Sequence, residues 1–341
     1  MGLESRRDPA AGIHAGNSEY PAGGLVFEQL IANNGPRFTV DSKMNQSAIP
    51  RLGRPAQDTL RAGYGFAAAT VMIWSGFVLM SRLGGRSPLT AFDLTALRFG
   101  VASLVLLPAW LFWKRVPLFN GTMFGLVLTG GLGYSLTVYG GFKFAPAAHG
   151  AVLMSGLLPF FVPLASLLIE KQPLPRRLRY ALPMIALGML GLAIDTFSHP
   201  GGSTWRGDLL MICASLIWAI YTILVRRSGL DPWQTTIGVA LLSALIYLPA
   251  YALFLPRAIS LTPWSMIVRQ GVYQGIVVVI VAMLLYMQAL SRLGPTRLGS
   301  VMATVPAIAG ISASLMLGEP LSGWLIGGLA LTSVGAWLGA R

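Results

Sequence analysis

The sequence predicts an all-α integral membrane protein with ten transmembrane helices in two inverted five-helix repeats, and three observations carry that reading. First, 54% of the 341 residues are hydrophobic and only 11% are charged, against roughly 25% charged in an ordinary soluble domain. Second, apolar runs long enough to cross a bilayer recur between short breaks of charge, Pro or Gly. Third, landmark residues return at a nearly constant distance along the chain.

Charge separates a polar part from a membrane part. Six of the 12 acidic residues (Glu4, Asp8, Glu19, Glu28, Asp41, Asp58) lie in the first 60 positions. Residues 1–61 are therefore expected to be a polar, disordered cytoplasmic tail, with a start at Met44 as an equal alternative. The net charge of +13 comes from basic residues scattered singly between apolar segments, which excludes the continuous basic face of a nucleic-acid binder. The single cysteine, Cys213, excludes an intramolecular disulfide and a cysteine metal cluster.

A crossing helix needs about 20 apolar residues. Such runs occupy residues 63–83, 92–113, 121–142, 147–169, 180–197, 209–225, 233–255, 271–290, 298–317 and 321–340. With the N-terminus inside, 14 Lys and Arg fall on the cytoplasmic side and six outside. The positive-inside rule then places both termini in the cytoplasm.

The repeat is visible in particular residues. Tyr139, Pro159 and Pro173 recur as Tyr286, Pro306 and Pro320, each 147 positions later. Trp74 and Arg82 recur as Trp218 and Arg226 at an offset of 144, and Pro108 recurs as Pro249 at 141. An ordered series of this kind marks a duplicated unit, with repeats at 62–200 and 201–341. Five helices per unit is an odd number, so the second copy enters the membrane inverted, an architecture common among carriers.

These landmarks resemble the drug/metabolite transporter superfamily, in particular its EamA-type ten-helix members. The resemblance rests on Trp74, the ALRF segment around Arg98, and a fourth helix in each half with a central Pro followed by an acid and Leu. The second copy reads VPAIAGISASLMLGEPL; the first reads LPFFVPLASLLIEKQPL, where Gln172 holds the register of Glu319 and the acid, Glu170, comes two residues early. The resemblance implies a ten-helix carrier of a bacterial inner membrane, usually an exporter of amino acids, other metabolites or toxic compounds.

Ionisable groups within spans are costly, so each is a functional candidate. Arg98 is placed to snorkel to the outer interface, to pair with a helix end, or to meet an anionic substrate group. His149, at the start of span four, is a candidate for proton coupling or an ordinary interface residue. The six later acids (Asp93, Glu170, Asp195, Asp208, Asp231, Glu319) fall at span ends, so no buried carboxylate relay is expected. Glu319 is expected to be water-accessible and structural. Trp74, Tyr139, Trp218, Tyr221 and Tyr286 are candidate substrate contacts, with headgroup anchoring as the alternative. Pro159 and Pro306 are candidate hinges, with Ser155 and Thr304 placed to satisfy the carbonyls they free or to meet substrate.

The functional expectation is alternating-access transport of small metabolites such as amino acids, or of amphipathic toxic compounds. A nucleotide-sugar or phosphorylated-sugar carrier and a non-transporting scaffold are the alternatives. No catalytic constellation, cofactor or metal site is expected. The expected partners are a small-molecule substrate and the lipid bilayer, not nucleic acid; a homodimer is left open.

Overall fold

The computed structural model describes residues 57–174, 176, 178–198 and 202–340. The expected tail up to residue 56, the alternative start at Met44, and Arg177 and Arg341 of the charge count lie outside the described residues. The described chain is helical, without strands. It forms α1 (Gln57–Arg86), α2 (Ala91–Phe112), α3 (Gly121–Phe144), α4 (Ala147–Glu170), α5 (Leu178–Phe197), α6 (Thr204–Ser228), α7 (Pro232–Phe254), α8 (Trp264–Gly294), α9 (Thr296–Leu317) and α10 (Gly323–Ala340). Among the described residues, α1 to α9 are long and apolar enough to span a membrane, and α10 is a shorter apolar helix. Their surfaces expose large apolar side chains such as Leu104, Phe112, Leu128, Leu253 and Leu315, which only a lipid solvent tolerates in such number.

Local chemistry sets the helix starts. Thr90 and Asp93 form a reciprocal capping box at the head of α2, and Asp231 and Gln234 form another at the head of α7. Each box satisfies backbone donors that would otherwise be orphaned, and the two stand 141 positions apart, the offset of Pro108 and Pro249. Asn120 caps α3 through the amide of Met123 at 2.8 Å.

Packing obeys the exchange of the halves. Helix α1 packs along α8 and α6 along α3; α1 also meets α9, as α6 meets α4. The pairs α2–α7 and α5–α10 each join equivalent helices of the two repeats. This is the contact set of a pseudo-two-fold arrangement, and ten helices in two inverted five-helix repeats are its architecture. The duplication extends to backbone irregularities. π-Helical turns widen α3 at Val127–Gly133 and α8 at Val272–Val281. A left-handed residue ends both α4 and α9, Lys171 at φ 58° and Gly318 at φ 64°.

Close approach between helices depends on small residues. A Cβ on Gly188 of α5 would lie 2.9 Å from the Gly328 carbonyl oxygen of α10, and a Cβ on Gly328 the same distance from that of Gly188. Gly141 likewise lies against Met211 and the Gly207 carbonyl.

The proline expectation is refined. Rather than kinking continuous helices, α4 breaks at Leu157 and restarts with Pro159 in its first turn, and α9 breaks at Ala303 and Thr304 and restarts with Pro306 in its first turn. A proline in a first turn interrupts no hydrogen bond, because that amide has no intrahelical acceptor.

Candidate functional site

The aromatic candidates form two groups related by the exchange of halves. Trp74 of α1 stacks on Tyr286 of α8 with ring centroids 5.4 Å apart. Trp218 of α6 lies between Tyr134 of α3 at 4.5 Å and Tyr221 of its own helix at 5.0 Å. Tyr134, Tyr221 and Tyr286 are each half-buried. The second group uses Tyr134, which one turn and a little more of helix separates from Tyr139, the repeat mate of Tyr286.

Tyr139 does different work. It is fully buried, with its ring 6.4 Å from that of Phe77, and its hydroxyl donates to Gln274 Oε1 at 3.0 Å. Gln274 donates in turn to Ser81 Oγ at 3.2 Å and to Gln270 Oε1 at 3.4 Å, and Gln270 donates to the Met80 carbonyl at 2.7 Å. Arg98 stands at the head of this chain, its Nη1 donating to the Tyr139 hydroxyl at 3.4 Å. The snorkelling expectation for Arg98 is corrected: it is 7% exposed and its guanidinium lies over the rings of Phe77 and Phe99. The neighbouring helices give it two aromatic faces and one side-chain hydrogen bond, to the Tyr139 hydroxyl. Gln270 and Gln274 were missed by sequence reasoning, although two amides one helical turn apart in an apolar span are themselves a signal.

Part-buried ion pairs stand at opposite faces of the bundle. Where α1 ends, Arg82 Nε donates to Glu319 Oε1 at 2.8 Å and Arg86 Nη2 donates to the same oxygen at 2.7 Å, while the Ala147 amide donates to Oε2 at 2.7 Å. Glu319 is 4% exposed, so the expectation of a water-accessible carboxylate is corrected; α1 and the head of α4 fold over it. At the face where α1 begins, Glu170 pairs with Arg226, and Ser166 joins both. Glu170 therefore does in the first half what Glu319 does in the second, despite its shifted register.

His149 is not a lone histidine. Its Nδ1 lies 3.0 Å from Asp208 Oδ1 and its Nε2 3.0 Å from Asp195 Oδ2, and Thr196 donates to Asp208 Oδ2 at 2.7 Å. All three ionisable residues are buried. Their position at span ends does not keep these acids apart: Asp195, near the end of α5, and Asp208, near the start of α6, converge on His149 at the head of α4.

The other two candidates are placed more plainly. Thr304 is exposed and donates to the Val301 carbonyl at 2.7 Å, serving its own turn. Ser155 is half-buried and ends the π-helical turn of α4 at Ala151–Ser155.

Known proteins share this plan. An uncharacterized transporter of Archaeoglobus fulgidus is 28% identical over 278 residues, 80% of this chain and 94% of its own. The threonine/homoserine exporter RhtA of Escherichia coli is 28% identical over 72% of this chain and 82% of its own. The uncharacterized transporter YyaM of Bacillus subtilis is 24% identical over 70% and 81%. One solved crystal structure superposes with a TM-score of 0.55 over 82% of this chain and 96% of the other at 22% identity, which shows the fold. The signature of the EamA-like transporter family matches twice, at residues 61–194 and 205–340. With both copies of that signature covering its two repeats, the chain belongs to the EamA-like transporter family.

Proposed function

We propose that the chain is an alternating-access carrier that exports small metabolites, amino acids foremost, or amphipathic toxic compounds across a bacterial inner membrane, with both termini cytoplasmic. The observation that carries this reading is the exchange-related pair of part-buried ion pairs, Arg82–Glu319 at one face and Arg226–Glu170 at the other. Opening one lock while the other holds would expose the space between the halves to one side at a time. The likeness to a threonine/homoserine exporter supports amino acids as cargo. The positive-inside count supports the orientation.

In this reading Trp74, Tyr286, Trp218, Tyr221 and Tyr134 line the substrate path, and the breaks before Pro159 and Pro306 let the half-helices of α4 and α9 move. His149 is the proton-coupling residue: its contacts with Asp195 and Asp208 tie α4, α5 and α6 at one face, so a change in its charge would alter how that face closes. Flux of a panel of amino acids, amines and dyes into proteoliposomes containing only this protein tests the carrier reading. Absence of flux for the whole panel in correctly folded preparations would count against it. Flux that ignores an imposed proton gradient would remove His149 from the mechanism.

A further inference from the structure

We propose that Arg98 is the carboxylate anchor of the substrate site, so that the transported compounds carry a free carboxylate; this rests on the carrier reading above and names its cargo. Among the described residues the charge of Arg98 has no carboxylate counter-ion. All six acidic residues after residue 60 are engaged elsewhere. Asp93 caps α2 and accepts from Tyr251; Glu170 holds Arg226; Asp195 and Asp208 hold His149; Asp231 holds Lys114; Glu319 holds Arg82 and Arg86. Among the described residues no carboxylate lies within ion-pair distance of Arg98.

The hydrogen bonds around Arg98 point the same way. Tyr139 spends its proton on Gln274, and Gln274 spends its amide protons on Ser81 and Gln270. The chain is oriented to accept from Arg98 through one long bond, and Nε of Arg98 is buried with no partner. A guanidinium at the 7% exposure of Arg98 with an idle donor is a costly arrangement unless an anion completes it. A carboxylate is the anion that matches its planar fork. The guanidinium lies 5.7 Å from the ring centroid of Phe77 and 5.9 Å from that of Phe99, so the anchor is bordered by aromatic faces. A carboxylate on Arg98 would thus leave the remainder of a small organic acid against aromatic walls.

The test compares L-threonine, L-leucine and L-phenylalanine with their methyl esters, which keep the side chain and amine but lose the carboxylate charge. Binding to the purified full-length protein is read by thermal shift, and flux is read separately in proteoliposomes. At least one acid is expected to bind about tenfold or more tightly than its ester, the scale of a charge-assisted hydrogen bond. Arg98→Gln should bring that ratio close to one, and Arg98→Lys should keep part of it. Equal binding of acid and ester by the parent protein, or no binding of any acid, overturns the anchor without needing a variant. An unchanged acid-to-ester ratio in Arg98→Gln overturns it as well. Flux without preference for acids would sink the anchor and leave the carrier standing; preferential binding of acids without flux would do the reverse.

Discussion

Arg226 holds Glu170 at one face of the bundle as Arg82 holds Glu319 at the other, although the two glutamates occupy different registers of their repeats. Breaking a buried pair by removing one partner costs about 3–5 kcal/mol, because the other charge is left unpaired. Glu170→Arg or Arg226→Glu alone should therefore lower the melting temperature and abolish most flux, and the double reversal should restore much of both. Glu319→Gln should likewise slow transport severely, since Arg82 and Arg86 both lose their acceptor charge. Flux of the Glu319→Gln carrier equal to that of the parent, normalised to folded protein, would rule out the lock.

Lys171 ends α4 in the left-handed region where its repeat mate is Gly318. A side chain in that conformation costs roughly 1–2 kcal/mol relative to glycine. Lys171→Gly should raise stability by about 1 kcal/mol, read as a higher melting temperature of the purified protein, with no loss of flux.

The Trp74–Tyr286 and Trp218–Tyr134 contacts predict altered selectivity. An aromatic pair contributes about 0.5–1.5 kcal/mol beyond its buried area, so Trp74→Ala or Trp218→Ala should raise KM by roughly 2- to 12-fold for bulky substrates. The check is a comparison of KM across several substrates. Uniformly lower protein abundance with unchanged kinetics would assign these residues to packing alone.

At the head of α4, Asp208→Asn leaves His149 one anionic partner and Thr196 a neutral acceptor. Loss of a buried charged partner should cost about 1–3 kcal/mol. His149→Gln should separate two roles in one assay: a structural residue lowers stability only, whereas a coupling residue removes the response of flux to an imposed pH gradient.

The Gly188–Gly328 approach between α5 and α10 admits no side chain. Gly328→Leu should push the two helices apart and destabilise the fold by several kcal/mol, in the upper range of core overpacking. Gly327, with nothing within 4 Å of a Cβ at that position, should accept Ala without penalty, and the two variants are compared by melting temperature.

What the sequence determined by itself was whatever the bilayer imposes locally. Ten apolar stretches, their breaks and the duplicated order of Trp74, Arg82, Tyr139 and Pro159 are legible because hydrocarbon demands long apolar helices and because duplication preserves spacing. Individual candidates such as Trp74, Tyr286 and Arg98 were legible for the same reason, since bulky aromatic or charged groups stand out in an apolar span. Their partners were not. Residues at the ends of different helices meet only after packing, and neither hydropathy nor spacing states which ends converge. Hence Asp195 and Asp208 looked like separate span-end carboxylates until the folded bundle set both against His149. Glu319 looked water-accessible until α1 covered it, and Glu170 looked out of register until Arg226 reached it. Among the described residues, the absence of a counter-ion at Arg98 was likewise decided by tertiary structure, because Glu170, Asp195, Asp208, Asp231 and Glu319 pair with groups far from them in sequence, and Asp93, which caps its own helix, also accepts from Tyr251.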